Sequence, residues 1–131
     1  MAGQVPIECE SAPAALGPYS QAVRAGDLVM VSGQLGIVPS SMEFAGDSAA
    51  QQARQAFDNV QAIVGNAGGT LNDIVKVVLY LVDLAQFDEV NQVMADCFST
   101  PYPARACVEV VALPKGALVE VEATAYIPVD E

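Results

Sequence analysis

The chain contains no histidine and no tryptophan in its 131 residues. Without histidine there is no Ser-His or Cys-His nucleophile, no histidine-held zinc, and none of the side chains most often used as general bases near neutral pH. Basic residues are scarce as well. Five Lys and Arg stand against sixteen Asp and Glu, a formal net charge of −11. The basic residues Arg24, Arg54, Lys76, Arg105 and Lys115 are scattered along the chain. No stripe forms for a phosphate backbone, so no nucleic-acid partner is expected. Anionic membrane surfaces are disfavoured for the same reason, while one local positive pocket for a small anion stays open. The three cysteines, Cys9, Cys97 and Cys107, are odd in number and form no C-x-x-C pair, which indicates neither a disulfide framework nor a metal site. The longest apolar stretch, Ile74 to Val82, is broken by Lys76 and is too short to cross a bilayer. No basic residue precedes Arg24 and no apolar leader core follows Met1. A cytoplasmic protein with reduced thiols is the expectation.

What is present is apolar and small. Hydrophobic residues make up 53% and charged ones only 16%, a balance that fits one domain with a core of its own and an apolar surface left for a second copy. Residues 1–18 are Pro- and Ala-rich and read as an extended N-terminal segment. Ser20 to Ala25 reads as a short strand, Gly26-Asp27 as a turn and Leu28 to Ser32 as a β run. A glycine- and proline-broken loop follows, with room for a short strand near Gly36. Ser48 to Ala67 carries apolar residues at helical spacing behind a capping Asp47 or Ser48, and Gly68-Gly69 ends it. Ile74 to Val82 reads as a central strand buried on both sides. A second helix spans about Leu84 to Phe98, with Phe87, Val90, Met94 and Phe98 as its buried stripe, until Pro101 and Pro103 stop it. The order β-β-(β)-α-β-α-β-β predicts an α/β (α+β) fold, a single mixed sheet carrying two helices on one face.

The most informative tract is PARACVEVVALPKGALVEVEATA, 103–125. It reads as a β-hairpin. Arg105, Cys107 and Glu109 alternate with Ala106, Val108 and Val110; on the return arm Glu120, Glu122 and Thr124 alternate with Val119, Val121 and Ala123. An antiparallel pair can then place a guanidinium and carboxylates on one wall. A guanidinium in a small cleft receives a carboxylate through two parallel hydrogen bonds. By pattern alone the same wall reads first as the wet face of a half-covered sheet, and pattern alone does not make it a site. Other features are weaker still by themselves. Gly65-Asn66-Ala67-Gly68-Gly69 follows a helix where a phosphate loop would precede one, so it reads as a helix terminus. Ser32-Gly33-Gln34 ends a strand and exposes backbone amides. Cys107 alternates inside a strand, as a small core residue does. Asn91 and Lys76 suit a solvated helix face and a strand edge, and Tyr19 follows a Gly-Pro turn.

Taken together, APAALGPYSQAV (12–23), VSGQLG (31–36), QARQAFDNVQAIVGNAGG (52–69), IVKVVLYLVDLAQFDEVN (74–91) and the 103–125 tract resemble, in order and spacing, the RidA (YjgF) family of enamine/imine deaminases. The resemblance covers nearly the whole chain as a single domain, 1–131. The loop Pro39-Ser40-Ser41-Met42-Glu43 departs from it, as does the segment preceding Arg105. The resemblance implies a chorismate-mutase-like fold assembled as a homotrimer around a barrel-like core, with clefts between subunits. It implies that Arg105 grips a substrate carboxylate, that the backbone amides of Cys107 and Gly33 help position it, and that Glu120 activates water. Tyr19, Ser32 and Asn91 would line the cleft. Catalytic roles thus fall to Arg105, Glu120 and Cys107, with no metal and no cofactor. The implied activity is deamination of 2-enamino and 2-imino acids to 2-oxo acids. A trimeric metabolite sensor without turnover, a ribonuclease or translation inhibitor, and a chaperone-like role are the alternatives.

Overall fold

A computed structural model describes residues 3–129. Its strands are β1 (Val5–Ile7), β2 (Ala22–Ala25), β3 (Leu28–Leu35), β4 (Ile37–Val38), β5 (Glu43–Phe44), β6 (Ile74–Leu81), β7 (Ala104–Glu109) and β8 (Val119–Tyr126). Its helices are α1 (Ala49–Asn66) and α2 (Phe87–Cys97). Six strands form one mixed sheet in the order β1-β2-β3-β8-β6-β7, and β4 and β5 make a small separate ribbon. Strand β1 lies inside the segment that the sequence presents only as extended.

Each helix sits where its sequence lets it. Ser48 caps α1 through the Gln51 amide, and the Gln51 side chain returns to the Ser48 amide, a reciprocal arrangement that satisfies two otherwise orphaned donors. The buried stripe Ala49, Ala53, Ala56, Val60, Ile63 and Val64 lies against the sheet. Buried Asn59 donates to the carbonyls of Leu35 and Ile37, pinning the helix to the β3–β4 corner. Gly36 makes that contact possible: a Cβ there would lie 2.3 Å from the Gln52 carbonyl oxygen in α1. Gly68, with φ +91°, turns the chain out of α1, and Arg24 donates to the terminal Ala67 carbonyl at 2.8 Å. Helix α2 packs on α1, where Phe57 and Phe98 meet edge to face at 5.5 Å.

Both helices cover one face of the sheet, as predicted. Val29 and Val31 of β3, Val77, Leu79 and Leu81 of β6, and Val119, Val121 and Ala123 of β8 point into that layer and are buried. Fully burying each of these valines and leucines contributes about 1.5–3 kcal/mol. The opposite face is open. Leu28, Met30, Val108 and Tyr126 on it are each more than 40% exposed, an apolar surface on which no other part of the described chain packs.

The tract from Pro103 to Ala125 is not a hairpin. Strand β7 pairs parallel with β6, with α2 as the crossover that parallel pairing requires. Strand β8 pairs antiparallel with β6 on its other side and with β3 beyond. The loop between β7 and β8 straddles the end of β6: the Val110 amide donates to Leu81 O and the Val82 amide to Leu118 O. The nearly continuous apolar run of β6 explains the choice. It is the strand that profits most from a neighbour on both edges.

Candidate functional site

Insertion of β6 between β7 and β8 decides where the candidate residues fall. Arg105 stands level with Val77 in the parallel ladder, and Cys107 with Leu79. Their side chains therefore lie on the helix-covered side. Glu120 stands level with Tyr80 and Glu122 with Val78, on the open side. The expected single wall of guanidinium and carboxylates does not exist within one chain. Arg105 and Glu120 occupy opposite faces of the sheet.

The Arg105 half is built by α2. Phe87, Asn91 and Met94 recur at i, i+4 and i+7 and so share one face of that helix. The Arg105 guanidinium donates to Asn91 Oδ1 at 2.5 Å, approaches Met94 Sδ at 3.7 Å and lies 5.2 Å from the Phe87 ring centroid. Phe87 is thus half-buried under the guanidinium, whereas the sequence places it in the core stripe. No carboxylate pairs with Arg105; among the described residues the one ion pair joins Arg54 and Asp96. The guanidinium keeps donors free at the mouth of a cavity of about 450 Å³ lined by Asn91, Met94, Ala95, Tyr102, Pro103 and Arg105. A planar fork steadied by an amide oxygen and an aromatic face, with no carboxylate paired to it among the described residues, is suited to an external carboxylate.

The Glu120 half is built around a bulge. Val31 pairs with Ala123 and Gln34 with Val121, so both Ser32 and Gly33 stand opposite Glu122. The Ser32 amide donates to Gln21 O at 2.9 Å and its hydroxyl to Ser20 O at 2.6 Å. Gln21, itself buried, holds the N-terminal segment in place through Cys9 and Pro13. This bracing fixes the loop that carries Tyr19. A shallow cavity of about 550 Å³ collects Tyr19, Ser32, Gly33, Pro114, Glu120 and Glu122. The bare backbone of Gly33 abuts the Glu120 carboxyl: a Cβ would meet Glu120 Cδ at 2.7 Å and Oε2 at 2.8 Å. Burial, and after it the neighbouring charge of Glu122, push the Glu120 carboxyl above the usual carboxylate range. A carboxyl tuned upward holds and releases a proton closer to neutrality.

Of the remaining candidates, Cys107 lies mid-strand on β7 and is half-buried. Burial pushes its thiol up, with Arg105 pulling weakly the other way. A thiol held protonated is a packing group and a poor nucleophile, which leaves its backbone as the part available to a ligand. Tyr80, not singled out by sequence, lies on the open face and donates from its hydroxyl to Glu122 Oε1 at 2.8 Å. Its period-2 spacing from Val78 and Lys76, in alternation with Val77 and Leu79, is the readable sign of that placement. The chain therefore gathers Arg105, Asn91 and Cys107 on one side, and Tyr19, Ser32, Gly33 and Glu120 on the other.

Comparison with known proteins agrees with this frame. A family model described as Endoribonuclease L-PSP matches residues 9–127. The RutC family protein y4sK of Sinorhizobium fredii is 54% identical over 118 residues, covering 90% of this chain and 94% of that protein. The 2-iminobutanoate/2-iminopropanoate deaminase of Escherichia coli K12 is 46% identical over 122 residues, covering 91% and 94%. The crystal structure of RidA from an Antarctic Psychrobacter superposes with a TM-score of 0.91 at 50% identity, covering 94% of this chain and 99% of that one.

Proposed function

The chain belongs to the Endoribonuclease L-PSP (YjgF/RidA) family, and from that membership we propose that it hydrolyses reactive 2-enamino and 2-imino acids, such as 2-aminoacrylate and 2-iminobutanoate, to 2-oxo acids and ammonia. The observation that carries the reading is the guanidinium of Arg105, a carboxylate receptor with no ion-pair partner among the described residues, in a chain 46% identical to a protein named for this deamination. Substrates of this kind arise where pyridoxal-phosphate dehydratases and lyases eliminate water or thiol, and their removal protects such enzymes from attack on the cofactor.

The two halves meet in this reading through a second copy of the chain. Arg105 of one subunit and Glu120 of its neighbour face one another across a cleft when the open, apolar sheet faces turn inward, and three copies close the ring as a homotrimer. Exposed Leu28, Met30, Val108 and Tyr126 then become interior. In the cleft Arg105 binds the carboxylate, assisted by the Cys107 amide, and orients C2 of the imine. Water adds to C2 while Glu120 accepts its proton. The imine reacts in its protonated form, so Glu120 then returns that proton to the nitrogen of the carbinolamine, and as the C–N bond breaks the hydroxyl proton passes to Glu120 and ammonia leaves with the 2-oxo acid. Tyr19, Ser32, Gly33 and Asn91 shape the cleft. Orientation contributes several kcal/mol and proton transfer typically about 10²–10⁴-fold, enough for a reaction whose barrier in water is already modest. The ribonuclease name carried by the family finds no support in a chain of net charge −11 with scattered basic residues.

The test is a coupled assay. Threonine dehydratase generates 2-iminobutanoate in situ while semicarbazide competes for it, and the wild type and Arg105→Ala are compared at equal concentration. Wild type should divert the intermediate to 2-oxobutanoate. Arg105→Ala should remain folded, since Arg105 is exposed, and should lose roughly 10²–10³-fold in kcat/KM with its charge-assisted pair of hydrogen bonds. A wild type that binds 2-oxo acids without changing the partition would make the cleft a sensor site.

A further inference from the structure

The open face of the sheet sets a third acidic group beside the two carboxylates of β8. Glu120 and Glu122 are two residues apart and project from the same face. Tyr80 stands directly opposite Glu120 in the β6–β8 ladder, yet its hydroxyl passes Glu120 by and reaches diagonally to Glu122 Oε1 at 2.8 Å. We propose, resting on the deaminase reading above, that Tyr80 is a positioning residue: its hydroxyl holds the Glu122 carboxylate beside Glu120, so that Glu120 works against a fixed negative charge.

The physical case runs through both partners of that hydrogen bond. A carboxylate on a sheet face that a second subunit covers needs a donor, or it costs several kcal/mol. Tyr80 is the donor that the described chain supplies to Glu122. Held this way, Glu122 stays near Glu120 and disfavours its ionised form, adding to the effect of burial. The Tyr80 phenol is raised in turn, first by its hydrogen bond to Glu122 and then by burial and the charges of both glutamates, so it remains a neutral donor. Among the described residues, other charged or titratable groups on that side are few. Lys76 lies further along β6 opposite Thr124, Tyr126 ends β8, and Tyr19 flanks the cavity. Strands β3 and β7 present Met30, Ser32, Ala104, Ala106 and Val108 there, none of them charged. The charge acting on Glu120 from its own face is therefore Glu122, and the group that fixes Glu122 is Tyr80.

The experiment is a pH profile of kcat/KM, with parallel ¹³C NMR titration of the Glu120 carboxyl in glutamate-labelled protein, for wild type, Tyr80→Phe, Glu122→Gln and the double variant. Removing the like charge in Glu122→Gln should move the acid limb and the NMR titration to lower pH by about 0.3–1 unit. Tyr80→Phe should move both the same way by less, because Glu122 is then free to swing away from Glu120. The double variant should match Glu122→Gln alone. Limbs belonging to the substrate stay common to all four proteins. A Tyr80→Phe profile that superimposes on wild type, or one that shifts equally in the Glu122→Gln background, overturns the proposal. A wild type without turnover refutes the deaminase reading instead, and the NMR titration then still decides whether Tyr80 acts on Glu120 through Glu122.

Discussion

Replacing Gly33 by alanine isolates the position of one carboxyl group. The added Cβ would lie 2.7 Å from Glu120 Cδ and 2.8 Å from Oε2, where ordinary contact begins at 3.4 Å. The carboxyl must therefore retreat by about 0.7 Å to regain ordinary contact, and a displacement approaching 1 Å at a reacting group lowers turnover by up to about 10²-fold. The fold should hardly notice. The obstructing atoms are the free end of a flexible side chain, and Gly33 does not use the left-handed conformation that only glycine enters cheaply. A stability loss under about 1 kcal/mol is expected. In the semicarbazide-competition assay Gly33→Ala should lose activity in kcat while KM, which the proposed reading assigns to Arg105 on the other half-site, changes little. A Gly33→Ala protein with wild-type unfolding temperature and wild-type kcat would show that Glu120 is not where the proton is handled.

Two other glycines give opposite expectations. Gly36→Ala drives a Cβ to 2.3 Å from the backbone of α1, which cannot yield as a side chain can; thermal unfolding should show a loss of about 3 kcal/mol or failure to fold. Gly65→Ala, inside α1 with nothing within 4 Å of the new methyl, should stabilise by about 0.5–1 kcal/mol through helix propensity alone. Glu120→Gln should trade activity for stability. The folded-state value of Glu120 is raised above its ordinary one, so the native state loses stability relative to the unfolded chain as pH rises from about 4.5 through the raised value. The glutamine variant should melt higher than wild type at neutral pH, and the difference should vanish below about pH 4; equal melting at every pH would mean that burial does not strain this carboxyl.

Local pattern carried the elements and their layering and failed at one strand pairing. The apolar spacing of 48–67, the nearly continuous run of 74–82 and the alternation of 103–125 each gave the right kind of element within a few residues, because side-chain periodicity follows directly from backbone geometry. Which strand neighbours which is a global competition, and nothing in 103–125 reveals that β6 will occupy the place between its two arms. The error in pairing was also an error of chemistry. Alternation correctly grouped Arg105 with Cys107 and Glu120 with Glu122, but the relation between the two groups depends on register against a third strand. Phe87 under the guanidinium and Tyr80 at Glu122 were hidden for a related reason. Each is an ordinary apolar or aromatic position of its own element, and only the neighbouring element gives it a polar task. The list of candidate residues came from family resemblance, and their division between two faces came from the fold.

That division has a genetic meaning if the cleft joins two subunits. A gene lacking Arg105 and a gene lacking Glu120 each encode an inert protein, yet each retains the half-site that the other has lost. Expressed together they would co-assemble, and under random mixing about one cleft in four would pair an intact guanidinium with an intact carboxyl. Two null alleles would then rescue one another in the same cell, whereas two alleles defective in the same half never would.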